Sequence, residues 1–419
     1  MVEKLIDSNI EWIGKIPNNW KVERLQWHLY EINKKNNPIA TNDILSLTNK
    51  KGVIPYNEKG DQGNKSKDNV FEYKLAYPNT IVANSMNVII GSVGISKYFG
   101  CISPVYYVFK EKENNDIRFF NYIMQTKQFQ KELRKYANGI LEIRLRISAS
   151  NILKRMIPVP DYHVQKKISD FLEKKCKEIE EIESNINKQN LILKKYKESL
   201  ITETVIHGIN INSNLIDSHI DYIGKINPNW NLTKLKYVCK KINRVSDVND
   251  DVLICSNAGE VKKRDENSYG LSSDDENMFQ RVNKGDLLIH GMDTWHGAIA
   301  VSQLKGKCSK VVHVCESSEN KEYIAYYLQM LAFKKVYKVI SNGVRENTSD
   351  FRSWTKAGNI FINLPSKKEQ DEIANYLNLK VNNVKEIINS NNKKIEVLES
   401  YKNQLIYEYI TGKRDLEEN

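Results

Sequence analysis

The chain of 419 residues is 40% hydrophobic and 27% charged, a globular composition with room for two or three domains. Its formal net charge of +11 favours a polyanionic partner, nucleic acid or an anionic surface. No apolar run approaches the ~18 residues of a membrane span and no signal-peptide stretch opens the chain, which predicts a cytoplasmic protein.

The chain opens on Ile6-Asp7-Ser8-x-Ile10-x-x-Ile13-Gly14-Lys15-Ile16, followed by Trp20 and Leu25. The same frame returns 210 residues later as Ile216-Asp217-Ser218-x-Ile220-x-x-Ile223-Gly224-Lys225-Ile226, with Trp230 and Leu235. A repeat of this kind predicts two copies of one domain. Short β-rich runs follow in each half, such as Thr80-Ile81-Val82, Val88-Ile89-Ile90, Val105-Tyr106-Tyr107-Val108, Leu287-Leu288-Ile289 and Val311-Val312-His313-Val314. They are separated by Gly, Asn and Asp turns, and a helix is expected near 116–136 and near 320–340. Each globular part therefore reads as mixed α/β (α+β), 1–160 and 208–365.

Two long helical segments, 161–207 and 366–411, begin just after the proline stops Ile157-Pro158-Val159-Pro160 and Ile362-Asn363-Leu364-Pro365. In the first, Leu172, Ile179, Ile186, Leu193 and Leu200 recur every seven residues, with Ile168, Ile182 and Tyr196 on a companion line. The second carries Leu377, Val384, Asn391, Leu398 and Leu405, with Ile373, Ile387 and Tyr401 beside them. This is the pattern of a coiled-coil seam, and matched polar interruptions (Lys175 with Lys380, Gln189 with Lys394, Glu203 with Glu408) predict that the helices pair with each other. Only about eight residues connect the first helix to the second opening motif. The second helix must therefore run back, giving an antiparallel coil with pseudo-two-fold character, a domain at each end and a tail at 412–419. Some forty residues at ~1.5 Å each hold the domains on the order of 60 Å apart, one to two turns of duplex.

Both helical segments are electrically neutral, whereas residues 1–160 carry +9, residues 208–365 carry +3 and the tail −1. The polyanion contact is thus expected on the globular parts. Asn138-Gly139 is followed by Arg144 and Arg146, and Asn342-Gly343 by Arg345 and Arg352. An exposed turn with arginines beyond it can fork onto a guanine edge or a phosphate, although a hairpin turn with solvated charges has the same sequence. Lys59, Lys65 and Lys67 lie in a loop rich in Gly and Asn, Tyr98 offers a ring, and Lys262 and Arg264 complete the candidate DNA contacts.

Enzymatic signatures are sparse. There is no G-x-x-x-x-G-K-[ST] loop and no G-x-G-x-x-G between strand and helix. Ser103-Pro104-Val105-Tyr106 lacks the second proline of an amino-methyltransferase loop and reads as a turn into a strand. Asp251 with Glu260-x-Lys262 has the spacing of a metal-dependent nuclease triad, without a counterpart in the first half. His296, in Met292-Asp293-Thr294-Trp295-His296-Gly297-Ala298, has no adjacent nucleophile and reads as structural. The six cysteines, 101, 176, 239, 255, 308 and 315, contain no C-x-x-C pair, so reduced buried thiols are expected. Cys308, His313 and Cys315, with His290 and His296 upstream, match no familiar zinc spacing, and no metal is expected.

The duplicated opening, the helix starts Gln165-x-x-Ile168 and Gln370-x-x-Ile373, and the ending Thr411-Gly412-Lys413 together resemble the specificity subunit of type I restriction-modification systems. The resemblance covers essentially the whole chain. It departs where Asn227-Pro228 replaces the order Pro17-Asn18 and where His207-Gly208 replaces Thr-Gly. It implies a non-catalytic DNA-binding subunit in which each globular part is a target recognition domain reading one half of a bipartite, asymmetric site, and the coil fixes the unread gap. It implies as partners two methyltransferase subunits carrying S-adenosylmethionine and ATP-dependent restriction subunits using Mg, with no cofactor on this chain. A self-contained nuclease or methyltransferase with duplicated domains is the alternative.

Overall fold

The computed structural model describes residues 4–48, 52–59, 69–137, 145–209, 215–265, 275–340 and 351–416. The chain divides into two units, one of Met1–Ile186 with Lys393–Asn419 and one of Asn187–Asn392. A central helix, Tyr162–His207, and a C-terminal helix, Lys367–Ile410, each contribute one half to each unit. No helix among the described residues is long and apolar enough to cross a membrane.

The two globular parts share one topology. In the first unit a four-stranded antiparallel sheet has the order Leu29–Glu31, Tyr106–Glu111, Thr80–Asn84, Val93–Ser96. In the second the order is Cys239–Ile242, Val312–Ser317, Leu287–His290, Ile299–Val301. Small two-stranded sheets surround each. Where sequence patterning predicts one helix after the sheet, each unit has two in succession: Ile117–Gln125 and Lys127–Arg134, then Lys321–Phe333 and Val336–Ile340. The break in the first pair is Thr126, whose hydroxyl ends one helix on Ile123 O at 2.8 Å and caps the next by accepting the Phe129 amide.

The opening motif is a local device built twice. Asp7 Oδ1 accepts the Asn9 amide at 2.8 Å, and Asp217 Oδ1 accepts the His219 amide at 2.8 Å. Ser8 Oγ and Ser218 Oγ accept the amides of Ile10 and Ile220 at 3.2 Å. Gly14 and Gly224 take left-handed φ values of 71° and 75°, and their carbonyls receive the Ser8 and Ser218 amides at 2.9 Å. These turns aim Ile13, Ile16, Trp20, Ile223, Ile226 and Trp230 inward, and all six are buried.

Pro158 sits in a two-stranded sheet, where a missing N–H is tolerated, and Pro160 and Pro365 directly follow the strands that lead into the long helices. Met156–Val159 pairs with Lys21–Arg24 and Phe361–Leu364 with Asn231–Lys234, so the start of each globular part is tied to the strand that enters a long helix. The glutamines of the helix starts then act as struts. Gln165 Oε1 accepts the Asp116 amide at 3.0 Å and its Nε2 donates to Pro160 O at 3.0 Å. Gln370 repeats both bonds on Asn320 and Pro365 at the same distances.

The helices pack antiparallel within each unit. In the first, the Phe171 ring packs at a tilt on Tyr409 (4.6 Å) while Glu180 pairs with Lys402 at 2.6 Å, so rising numbers on one helix meet falling numbers on the other. In the second, Asn190 Nδ2 donates to Asn392 Oδ1 at 3.1 Å and Asn391 Nδ2 to Asn190 Oδ1 at 2.9 Å. Of the predicted seam, Leu172, Ile179, Ile186, Leu377, Val384, Asn391 and Leu405 are buried, while Leu193, Leu200 and Leu398 are half-buried.

The companion line corrects the sequence expectation. Ile168 and Ile373 are buried against their globular parts, but Ile182, Tyr196, Ile387 and Tyr401 are 48–51% exposed. A pair of helices encloses one stripe per helix, and beyond the reach of a globular part the second stripe opens to solvent. Lys175 is likewise no buried interruption. It is half-exposed and pairs along its own helix with Glu178 at 2.9 Å. The buried polar layer is the asparagine group instead.

Two stability predictions follow from these bonds. Gln165→Met keeps the side chain's length but orphans the buried Asp116 amide and Pro160 carbonyl, and should cost about 1–3 kcal/mol in urea unfolding. Asn391→Leu alone should destabilise by a similar ~1–3 kcal/mol, and the double change with Asn190→Leu should recover most of that loss. A double variant as unstable as the single one would remove the asparagine layer from the account.

Candidate nucleic-acid interface

Several basic residues are consumed by the fold and are not available to a polyanion. Arg118 bonds Asp116, Asp170 and Glu173 at 2.6–2.9 Å, tying a domain helix to the central helix. Lys307, almost fully buried, donates to both Glu276 oxygens and to Val248 O at 2.8–2.9 Å. Lys385 pairs with Glu260 at 2.9 Å, and Lys197 donates to Ala258 O at 3.4 Å in a cleft of about 730 Å³, where burial holds its ammonium below the usual lysine range.

The last pair has a simple electrostatic origin. Counting 205 residues along, the positions of Glu180 and Lys402 become Lys385 and Lys197, so an ion pair in the first unit is replaced by two lysines in the second. The hairpin Leu253–Ser256 with Glu260–Lys263 supplies the missing carboxylate and a carbonyl. The two carboxylates of the nuclease-like spacing are ion-paired separately. Glu260 is committed to Lys385, and Asp251 is bonded to Lys263 at 2.6 Å rather than sharing a site with Lys262.

The candidate contacts that remain fall in two settings. Arg146 and Arg352 are exposed, each beside a buried residue, Ile147 and Phe351, and Arg146 lies close enough to the Tyr107 phenol to bias its ionisation. Lys262 is exposed on the hairpin strand that carries Glu260, and Arg264, just past the end of that strand, is half-buried with its amide on Val252 O. Tyr98 is 39% exposed beside exposed Phe99, which packs on Tyr77 at 5.4 Å. Lys59 is half-buried over the Tyr56 ring at 5.2 Å. Lys65, Lys67, Arg144 and Arg345 lie outside the described residues. Arg146 directly precedes its buried neighbour and Arg352 directly follows its own, whereas Lys59, Tyr98, Lys262 and Arg264 are particular to one unit each.

The stretch Met292–Ala298 is a structural turn, with a counterpart that sequence reading missed. Asn87 and Asp293 each precede a short 3-10 helix, Val88–Ile90 or Thr294–His296, closed by Gly91 or Gly297 at φ 89° or 86°. The shared signal, Met86-Asn87-x-x-x-Gly91 and Met292-Asp293-x-x-x-Gly297, recurs at an offset of 206 residues. All six cysteines are free and buried, and burial pushes the Cys239 and Cys308 thiols up to about 12. Among the described residues no group of three His, Cys, Asp or Glu side chains converges as a metal site.

No protein-family model matches this sequence. Among solved structures, the chain is similar to one from work on complex assembly and conformational transition of the type I R-M system, with TM-score 0.69 and 13% identity over 96% of this chain and 100% of that one. It is also similar to the HsdS subunit from Thermoanaerobacter tengcongensis (TM-score 0.48, 12% identity, 96% of this chain and 98% of that one). A third similar structure is the type I restriction-modification S subunit from M. genitalium (TM-score 0.40, 13% identity, 95% and 97% covered). At 13% identity the first likeness is one of fold, and this chain shares that fold over nearly its whole length.

Proposed function

We propose that this chain is the DNA-binding specificity subunit of a type I restriction-modification complex and has no catalytic activity of its own. The observation that carries the reading is the duplication itself. Two globular parts of one topology are each closed by halves of the same two long helices, and this fold recurs in a chain of a type I R-M system. Each globular part would read one half of a bipartite site, with Arg146 a candidate contact in the first and Arg352 in the second. The divergence of the other basic residues supports two different half-sites.

The surface supports a pair of like partners. Exposed Ile182, Val397 and Tyr401 belong to the first unit, and their counterparts Ile387, Ile192 and Tyr196 belong to the second, all at least 48% exposed. Ile6 and Ile216 of the opening motifs are exposed as well. Apolar residues left in water at matching places in both copies suit two methyltransferase subunits, one per unit. Those subunits would carry S-adenosylmethionine, and restriction subunits using ATP and Mg would complete the assembly.

Mapping methylated adenines in a genome that carries this chain with its methyltransferase partner tests the proposal. The expected motif has two short specified segments flanking an unspecified gap. A single continuous motif, or methylation by the chain without a partner, would count against it.

A further inference from the structure

Each unit contains the same backbone clamp at the rim of its four-stranded sheet. In the first, Ser85 follows the strand Thr80–Asn84, and its carbonyl accepts the Ile147 amide at 3.1 Å while the Tyr107 hydroxyl donates to Ile147 O at 3.0 Å. In the second, Gly291 follows Leu287–His290, and its carbonyl accepts the Phe351 amide at 3.1 Å while His313 Nε2 bonds Phe351 O at 2.6 Å. A Cβ on Gly291 would come within 3.0 Å of both Val311 O and Arg352 Cα, so the crossing segment lies hard against it.

The turn beneath each clamp is held alike. Asn84 Oδ1 accepts the Met86 amide at 3.0 Å, and His290 Nδ1 accepts the amides of Asp293 at 3.0 Å and Met292 at 3.4 Å. The geometry is shared and the chemistry is not. Asn84 and Tyr107 do not change charge near neutral pH, whereas His290 and His313 are the two side chains that do.

We infer that Tyr107 and His313 are positioning residues that set Arg146 and Arg352 for DNA contact, and that the second clamp alone loosens on acidification. The inference rests on the DNA reading proposed above. His290 must leave Nδ1 bare to accept two amides, and a proton there turns an acceptor into a donor. His313 donates through Nε2, and its buried Nδ1 has no hydrogen-bond partner among the described residues, so a second proton finds no acceptor there.

Among the described residues, few charged groups face the two rings. The Asp293 carboxylate, 3.4 Å from His290 Nδ1, favours the charged ring. Lys241 on the neighbouring strand and His290 itself oppose charge on His313, Arg352 lies on the crossing segment, and the Trp354 ring covers His313 at 5.5 Å. Burial is the largest influence and holds both histidines below the ordinary 6.5. A folded pKa below the unfolded one means that the stabilisation is complete above the unfolded value. It is lost as pH falls from about 6.5 toward the folded values, by up to ~10-fold per pH unit for each histidine.

Amide exchange on the full chain, corrected for intrinsic rates, reads both clamps in one experiment. Between about pH 7.5 and pH 5.5, protection over 351–354 should fall at least ~10-fold while protection over 147–150 changes less than ~2-fold. The double variant His290→Asn with His313→Tyr, which copies the first clamp, should remove the difference. Loss in both clamps, loss in neither, or loss that persists in the double variant would overturn the inference. In a second arm, a duplex selected from a random pool by the wild-type chain should bind about tenfold more weakly to Tyr107→Phe and to His313→Phe, and normally to His313→Tyr. Unchanged binding by both phenylalanine variants would overturn the positioning role. If the wild-type chain selects no duplex, the DNA reading fails, and exchange alone still decides the clamp.

Discussion

A left-handed glycine ends each long helix and brings that end against the tryptophan of an opening motif. A Cβ on Gly208, φ 82°, would touch Trp230 at 3.5 Å, and one on Gly412, φ 66°, would overlap Pro17 and crowd Trp20. Tyr407 adds a hydroxyl shared between the carbonyls of Trp12 and Ile13 at 3.1 Å, and Lys413 donates to that hydroxyl at 2.6 Å. The first core is therefore finished by residues almost four hundred positions away in sequence. Leu405, Ile406, Tyr409 and Ile410 lie in one cluster with Trp12, Ile13, Trp20 and Leu172, just as Ile201 and Val205 lie with Trp230, Ile373 and Leu377 in the second unit.

This closure explains why the two copies keep a common frame while their contents diverge. Residues that meet a helix end or a helix start are fixed by geometry: the Asp-Ser turn, the inward tryptophan, the glutamine strut. Residues away from those joints are free to change. Hence an ion pair, Glu180 with Lys402, can become two lysines served by a hairpin carboxylate, and a tyrosine–asparagine clamp can become one of two histidines. The proposed reader of two unlike half-sites would need such a division between a shared frame and replaceable parts.

The frame was legible in the sequence because each joint leaves a short-range mark. Gly14 and Gly224 stand at matching places in the repeated opening, and Pro160 and Pro365 precede the long helices that begin at Tyr162 and Lys367. The burial of the companion line was not legible. Heptad spacing says which residues share a stripe, but whether Ile182 or Tyr401 meets another surface depends on how far a globular part reaches along the helix. The clamp was hidden for a different reason. Tyr107 and His313 are unlike residues doing one job, and only the hydrogen bond to the following segment reveals it. Of the candidate contacts, Arg146 and Arg352 each proved to adjoin a clamped residue, on opposite sides of it, whereas nothing in their spacing could separate them from Arg118, an arginine spent on structure.

Under the proposed function, the paired helices would set the distance between two independently read half-sites. Inserting one heptad into each long helix at matching levels lengthens the coil by about 10 Å at ~1.5 Å per residue, or roughly three base pairs. The adenine-methylation motif of the lengthened chain should keep both specified segments and widen the gap between them by about that amount. An unchanged gap in a folded, active complex, or altered half-sites at the old spacing, would contradict the account.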